Sequence, residues 1–581
     1  MISFGNGRRN RNSTHEIAPD EIFLDSSNLP GRNEGQFEGR VVRPVTSRAL
    51  LGIGFAFAIV IFVFAARAFH LEIVRGTVYA DISRTNRLDR SVVFASRGLI
   101  FDRTGRELAW NEAQVRNLNE EETGPAENSI LSGAFALRRY IDLPGLSHVL
   151  GFVRYPKADS RGEWWREELA GISGVELAFN DLLSGINGSS MLEIDALGAI
   201  QQQNIVVPPK SGENVTLSID AELQSKLYTL LALHAEHQGF EGGAGVIMDV
   251  RTGEVLMLTS FPEYDNAAFS AGDREAVRAV SASSLAPLLN RAIAGLYTPG
   301  SIVKPIFAAA ALAEGIITPE KQILSTGALS IPNPYDPSQP SIFRDWTVHG
   351  LVDMREAIAV SSDEYFYTIG GGYESQKGLG IRRLDEYARI FGLGTPSGIA
   401  LLGEASGVIP TPEWKEAVFG PDDPWRIGNT YHTVIGQYGF QITPLQAVRF
   451  IAAIANGGKL LIPQMVTNAR SRYKDIGISD ANLKVVREGM RLAVTSTRQD
   501  ATVKVLNIPG IQIAAKTGTA EVGSQNQWMN SWSVGYWPSD NPRFAYAVVL
   551  EKAPAGTLSG AAPALRPFFE WLIVNKPEYV N

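Results

Sequence analysis

Thr298-Pro299-Gly300-Ser301-Ile302-Val303-Lys304-Pro305 is the stretch on which the reading of this chain turns. Pro299 and Gly300 interrupt whatever precedes them. The run from Ile302 to Ala313, IVKPIFAAAALA, is helix-forming and almost wholly apolar, which predicts a buried helix with Ser301 at or near its N-cap. Lys304, three residues on, then shares a face with Ser301. A lysine placed there meets the positive end of the helix dipole and a poorly solvated surrounding. Both favour the neutral amine, the form able to take a serine's proton without histidine. Pro305 removes at most one backbone bond, because first-turn donors have no intrahelical partner. The same spacing recurs at Ser471-Arg472-Tyr473-Lys474, but in a charged segment with no apolar helix behind it, so that copy is expected to be a solvated loop.

Around this stretch lie 581 residues, enough for three or four units, with 45% hydrophobic and 20% charged residues, as in globular proteins. The net charge of -8 leaves no dominant basic patch, which argues against a nucleic-acid partner. Cysteine is absent, so disulfides, thiolate chemistry and sulfur-dependent zinc sites are excluded. Ala49 to Ala66, ALLGIGFAFAIVIFVFAA, is uncharged, flanked by Arg48 and Arg67, and just long enough to span a bilayer. It starts too deep in the chain for a cleaved signal peptide and is read as a permanent anchor. Arginines lie on both sides, so flanking charge does not set its direction.

Residues 1–48 are polar and aperiodic and read as a disordered tail. After the span, residues 95–111 predict two short strands about a turn at Arg103-Thr104-Gly105, residues 171–183 a helical stretch, and residues 191–195 a strand. Asp220 to His237 reads as an amphipathic helix capped by Asp220; its His234 and His237 are read as dipole partners rather than metal ligands. A hairpin over residues 246–260 opens a new domain. Further on come a helix over residues 353–369 containing Ser361-Ser362-Asp363, an apolar helix from Pro444 to Ala455, a strand over residues 511–515 running into Lys516-Thr517-Gly518-Thr519, a hairpin pairing 531–537 with 543–551, and a closing helix over 562–574. Successive hairpins without strand-helix-strand repeats predict an antiparallel sheet in an α+β domain.

Three pieces fall in order: Ser301-x-x-Lys304, Ser361-x-Asp363 and Lys516-Thr517-Gly518. Between the first and third, Ser361 is the one serine followed two places on by Asp or Asn. The set resembles the penicillin-recognising serine transpeptidases and β-lactamases, whose motifs are S-x-x-K, S-x-N and K-T-G. RGLIFDRTGRELA, GISGVE, GEVLMLTSFPEYDNAAF, TPGSIVKP, IGQYGFQITPLQA and KTGTAEVG are similar to the class B, monofunctional penicillin-binding proteins from about Ser96 onward. Asp363 in SSDEYFY, together with RRYIDLPGLSHVLGFV, is most like the elongation-type members. Two departures stand out. Ile435-Gly436-Gln437-Tyr438-Gly439 has a side chain where the family usually has the second glycine of IGQGY, and residues 118–137 look short for the family's head lobes.

The resemblance implies a tail (1–48), a transmembrane helix (49–69), a β-rich elongated pedestal (70–240) and a transpeptidase domain (241–576) with an antiparallel sheet flanked by helices. It implies that Ser301 attacks the penultimate D-alanine carbonyl of a peptidoglycan stem peptide, with Lys304 as general base kept neutral partly by the charge of Lys516. Ser361 would relay the proton, Asp363 hold that network, and Lys516 and Thr517 bind the substrate carboxylate. Gly518 would let the strand approach the substrate, and the N–H groups of Ser301 and Thr519 would form the oxyanion hole. β-Lactams, a multi-spanning glycosyltransferase and other wall-elongation proteins are the implied partners, with the N-terminus cytoplasmic, the catalytic domain outside and no cofactor. Some relatives hold a metal near the second motif through Asp, His and Cys; Asp345 and His349 are present here without a cysteine, so no metal is expected. A septal transpeptidase, a β-lactam sensor, a β-lactamase or a non-enzymatic scaffold are the alternatives. A histidine-dependent hydrolase is disfavoured, because Gly-x-Ser-x-Gly does not occur.

Overall fold

A computed structural model of the chain describes residues 47–79, 88–113, 135–160, 163–194, 200–333, 336 and 338–580. The expectations for residues 1–46 and for most of 118–137 lie outside the described residues. The chain divides into two units, Met1–Leu88 and Asp89–Asn581. In the first, Ser47–Phe69 is α-helical, and the apolar helical stretch continues to Val74, 28 residues in all. At 1.5 Å per residue that is about 42 Å, longer than the roughly 30 Å of a bilayer's hydrocarbon core.

The second unit is organised on a five-stranded antiparallel sheet. Its strand order is Val255–Phe261, Gly242–Asp249, Phe544–Pro554, Trp528–Trp537, Ala514–Val522. Both faces are covered, and alternate side chains feed two cores. Val246, Met248, Trp532 and Val534 pack with the helices Lys304–Ala313, Met354–Val360 and Pro444–Ala455. Ile247, Tyr546 and Val548 pack with Ala221–Gln238 and Ala561–Asn575. The first of that second pair begins where Asp220 accepts from the N–H groups of Glu222 and Leu223 at 3.1 and 3.2 Å, and ends at Gly239 in the left-handed conformation.

N-terminal to this sheet, Ile100–Phe101, Glu107–Glu112, Leu137–Tyr140 and Val215–Thr216 form a smaller sheet. It is braced by a buried triad in which Glu176 accepts from Arg97 Nε at 2.6 Å and from Arg138 Nε at 2.7 Å, with all three side chains fully enclosed. The helical stretch expected over 171–183 is present as Gly174–Ala178 and Asn180–Leu183.

Three elements differ from expectation. The single helix expected over residues 353–369 is two, Met354–Val360 and Asp363–Gly371, broken where Ser361 takes φ 60°. The strand expected to end at Ala515 runs on through Lys516-Thr517-Gly518 to Val522, because Trp528–Trp537 supplies a ladder along its full length. The second Ser-x-x-Lys is not all loop: Tyr473–Asp475 is a short exposed strand paired with Lys459–Leu461.

Candidate active site

Ser301 lies in a 3-10 turn, Gly300–Val303, that runs directly into the buried helix Lys304–Ala313 with Pro305 in its first turn. The tighter turn arises because Gly300, at φ 56°, is wedged between two backbones. A Cβ on it would stand 2.6 Å from Thr519 O, and its N–H donates to Gly436 O at 3.0 Å. Trp532 Nε1, from the strand next to the edge strand Ala514–Val522, donates to Thr298 O at 3.0 Å. Ser301 is half-buried, whereas Lys304 is fully enclosed.

The edge strand Ala514–Val522 lies flush against this turn. A Cβ at Gly518 would meet Pro299 O at 2.7 Å and Ile302 Cγ2 at 2.9 Å. Gly518 thus admits the nucleophile turn to the strand. Lys516 lies two residues before it on the same face, and its amine is fully buried. Thr517 is half-buried and Thr519 exposed, on the alternate positions.

Ser361 joins the pieces. Its left-handed backbone turns its carbonyl towards Lys304 Nζ, at 2.7 Å, while its hydroxyl lies 3.3 Å from Lys304 Nζ and 2.7 Å from Lys516 Nζ. One hydroxyl thus bridges two amines. Asp363 Oδ1 accepts from Lys304 Nζ at 2.6 Å, and the Phe366 ring lies 5.4 Å from the same nitrogen. Lys304 therefore has a counter-ion. Among the described residues no carboxylate pairs with Lys516, whose only close partners are Ser361 Oγ and Thr517 O at 2.8 Å. Burial first, then the charge of Lys304, push the Lys516 ammonium well below the ordinary lysine range, with Asp363 acting in the opposite sense. Burial and the neighbouring ammonium thus drive Lys516 towards the neutral amine.

Ser362 caps the Asp363–Gly371 helix by accepting from Tyr365 N–H at 3.2 Å, and donates to Asp345 Oδ2 at 2.7 Å. Burial would raise the Asp345 carboxyl, but His349 beside it, hydrogen bonds from Glu364 N–H and Ser362, and the charge of Lys304 bring it to about 2. His349 stands between Asp345, 3.4 Å away, and Asp500, 2.8 Å away. Asp345 accepts from Ser362 and from Glu364 N–H, while His349 meets Asp500 through Nδ1 and its buried Nε2 makes no hydrogen bond among the described residues. Among the described residues no group of three or more His, Asp or Glu side chains is disposed to hold a metal. His234 Nε2 donates to Ser559 O at 2.9 Å.

Ser301, Lys304, Ser361, Asp363, Lys516 and Gly518 are therefore gathered at one place. Sequence reasoning missed Trp532, Phe366 and the tie from Ser362 to Asp345. No local pattern announces the first two; the third was hinted by two consecutive serines inside a helical run.

The sequence pattern described as penicillin binding protein transpeptidase domain matches residues 243–570, and that described as penicillin-binding protein dimerisation domain matches residues 129–217. The chain belongs to the penicillin-binding protein transpeptidases. Within them it resembles the proteins named MrdA or PBP2. It is 31% identical over 472 residues to the peptidoglycan D,D-transpeptidase MrdA of Haemophilus influenzae, covering 75% of this chain and 69% of that one. Pseudomonas aeruginosa PBP2, solved in complex with WCK 5153, superposes with TM-score 0.67 at 28% identity, covering 85% of this chain and all, 100%, of that one. Helicobacter pylori PBP2, solved in complex with MreC, gives TM-score 0.68 at 25% identity, covering 84% and 99%.

Proposed function

We propose that the protein is a peptidoglycan D,D-transpeptidase of the wall-elongation type, acting through an acyl-enzyme on Ser301 and acylated there by β-lactams. The observation that supports this most is the meeting of Lys304 and Lys516 on the Ser361 hydroxyl, against the turn that bears Ser301. Lys304 is paired with Asp363 at rest, and Lys516 is driven towards neutrality by burial; the carboxylate of an incoming stem peptide beside Lys516 raises that amine, which then takes the Lys304 proton through Ser361 Oγ. Freed, Lys304 takes the proton of Ser301 as the serine oxygen adds to the penultimate D-alanine carbonyl. The N–H groups of Ser301 and Thr519 face the oxygen that becomes anionic. When the C–N bond breaks, the terminal D-alanine leaves as an amine, taking its proton from the Ser361–Lys516 pair. The amine of a second stem peptide then attacks the ester, forming the crosslink and restoring Ser301. Lys516 and Thr517 bind the substrate's terminal carboxylate.

The helix over residues 49–69 anchors the chain in the cytoplasmic membrane with its N-terminus inside, the pedestal (70–240) and transpeptidase domain (241–576) lying outside. A multi-spanning glycosyltransferase that supplies glycan, and a scaffold protein like the MreC solved with the H. pylori relative, are the proposed partners. The test is to incubate the detergent-solubilised chain with pentapeptide-bearing glycan strands and to follow crosslinked dimers and released D-alanine by mass spectrometry. Both are expected from the wild type and neither from Ser301→Ala. Absence of both products from the wild type would overturn the proposal.

A further inference from the structure

The turn that holds Gly300 contains a non-glycine residue in the left-handed backbone region. Gly436, Tyr438 and Gly439 have φ of 78°, 63° and 80°. For tyrosine this left-handed conformation costs roughly 1–2 kcal/mol, because its Cβ crowds the following carbonyl. The turn is fastened at both ends to the segment leading into Ser301. Gly300 donates to Gly436 O at 3.0 Å, and Tyr297 and Ile442 exchange both backbone bonds at 3.0 Å. A Cβ on Gly436 would lie 2.2 Å from Gly300 O, so no slack separates the two backbones.

A strained residue persists only where its surroundings over-determine it. Here the half-buried Tyr438 ring packs edge-on against Trp414 at 5.9 Å and Trp425 at 5.8 Å, with Lys415 Nζ 5.9 Å from its centroid. Lys415 is itself buried and immobilised, donating to Pro424 O at 2.9 Å and Asn429 Oδ1 at 3.1 Å and pairing with Asp423 at 3.0 Å. The next residue must be glycine, since a Cβ on Gly439 would stand 2.3 Å from Trp414 Cη2. The order Tyr438-Gly439 and the indole of Trp414 therefore fit only one another. Among the described residues the Tyr438 hydroxyl has no hydrogen-bond partner, so the ring is what the site uses.

We propose that Tyr438 is a positioning residue for the acylation step: its ring, seated among Trp414, Trp425 and Lys415, sets the turn 436–442 and through it the placement of Gly300 and the Ser301 N–H. The inference rests on the acyl-enzyme reading above and adds a determinant outside the three motifs. The ring touches no reacting atom. Its action passes through the Gly436–Gly300 contact.

The experiment is a stopped-flow measurement of acylation by a fluorescent penicillin on the solubilised full chain, separating the binding constant from the rate constant of acylation at saturation, with a thermal melt of each variant. Tyr438→Phe is expected within twofold of wild type. Tyr438→Ala still disfavours the left-handed backbone but lacks the ring that holds it there, so the turn relaxes; it is expected to lower the saturating rate constant by about tenfold, with binding unchanged, as a sub-ångström misplacement of reacting groups does. Trp414→Leu removes a wall of the box without touching the turn's own backbone, should Tyr438→Ala not fold, and is expected to act in the same direction. Acylation by Tyr438→Ala and Trp414→Leu within twofold of wild type, whatever their melting temperatures, would overturn the inference, as would an equal loss in Tyr438→Phe. A wild-type protein that takes no penicillin at all would instead refute the functional reading itself.

Discussion

Gly518→Ala adds one methyl group at the contact between the edge strand and the nucleophile turn. The backbone at Gly518 is one that alanine adopts without strain, so the effect is purely one of space. The new Cβ would stand 2.7 Å from Pro299 O, 2.9 Å from Ile302 Cγ2 and 3.2 Å from Ile302 N, where ordinary contact begins at 3.4 Å. Two of those atoms are backbone and cannot rotate away. The strand and the turn must therefore separate by roughly 0.7 Å to restore normal van der Waals spacing. Overpacking of this kind costs about 1–3 kcal/mol. Lys516 lies two residues along the same strand, 2.7 Å from Ser361 Oγ, and moves away from Ser301 with it. A misplacement of about 1 Å can slow chemistry by around a hundredfold, so a loss of about tenfold or more in acylation rate is expected. Time-resolved labelling by fluorescent penicillin, with a melt of the same preparation, reads both quantities. Labelling within twofold of wild type at an unchanged melting temperature would refute the claim that the strand and the turn are in register through the missing side chain.

Asp363→Asn removes the charge that pulls the Lys516 ammonium back up, so the acidic limb of the acylation pH profile should move to lower pH; a move to higher pH would contradict the assigned electrostatics. Glu176→Gln leaves two enclosed guanidinium groups without a counter-charge and should cost about 3–5 kcal/mol in unfolding experiments, while the folded fraction still acylates normally. His148 is buried, with Nε2 2.9 Å from Pro287 O, and desolvation lowers it to about 4 from the usual 6.5. Between those values the unfolded chain binds the extra proton, so stability falls as pH falls through that window, by up to about 3 kcal/mol from this group. His148→Gln should show a shallower loss of melting temperature between pH 7 and pH 4.5, and an unchanged slope would exclude His148 as the source.

Much of this could be read locally because the determinants are local. Pro444–Ala455 matches its expected limits, since a capping threonine, a proline in the first turn and a continuous apolar run all lie within it. Ser301 and Lys304 were legible for the same reason, being three residues apart at the start of a helix of unmistakable composition, although Ser301 lies in a 3-10 turn ahead of the helix and Val303, not Ser301, is the N-cap. Ser361 was legible as a motif and not as a conformation. Its left-handed backbone closes the Met354–Val360 helix, with Ser362 N–H donating to Ala357 O at 3.0 Å, and presents its carbonyl to Lys304, 57 residues away in sequence; serine is not a residue that announces such a helix end. Gly518 was expected to give clearance to a substrate; that it also gives clearance to Pro299 and Ile302 was not legible, because the contact joins segments over two hundred residues apart in sequence. That Asp363 reaches the Lys304 amine, while Lys516 meets the Ser361 hydroxyl, was likewise beyond local reading.

The central claim is that Ser301 forms the covalent bond. Intact-mass and peptide mass spectrometry of the solubilised chain after exposure to penicillin tests it directly. The account predicts one adduct of the mass of the ring-opened drug, on the peptide bearing Ser301, and none in Ser301→Ala. An adduct on any other residue, or equal labelling of Ser301→Ala, would contradict it.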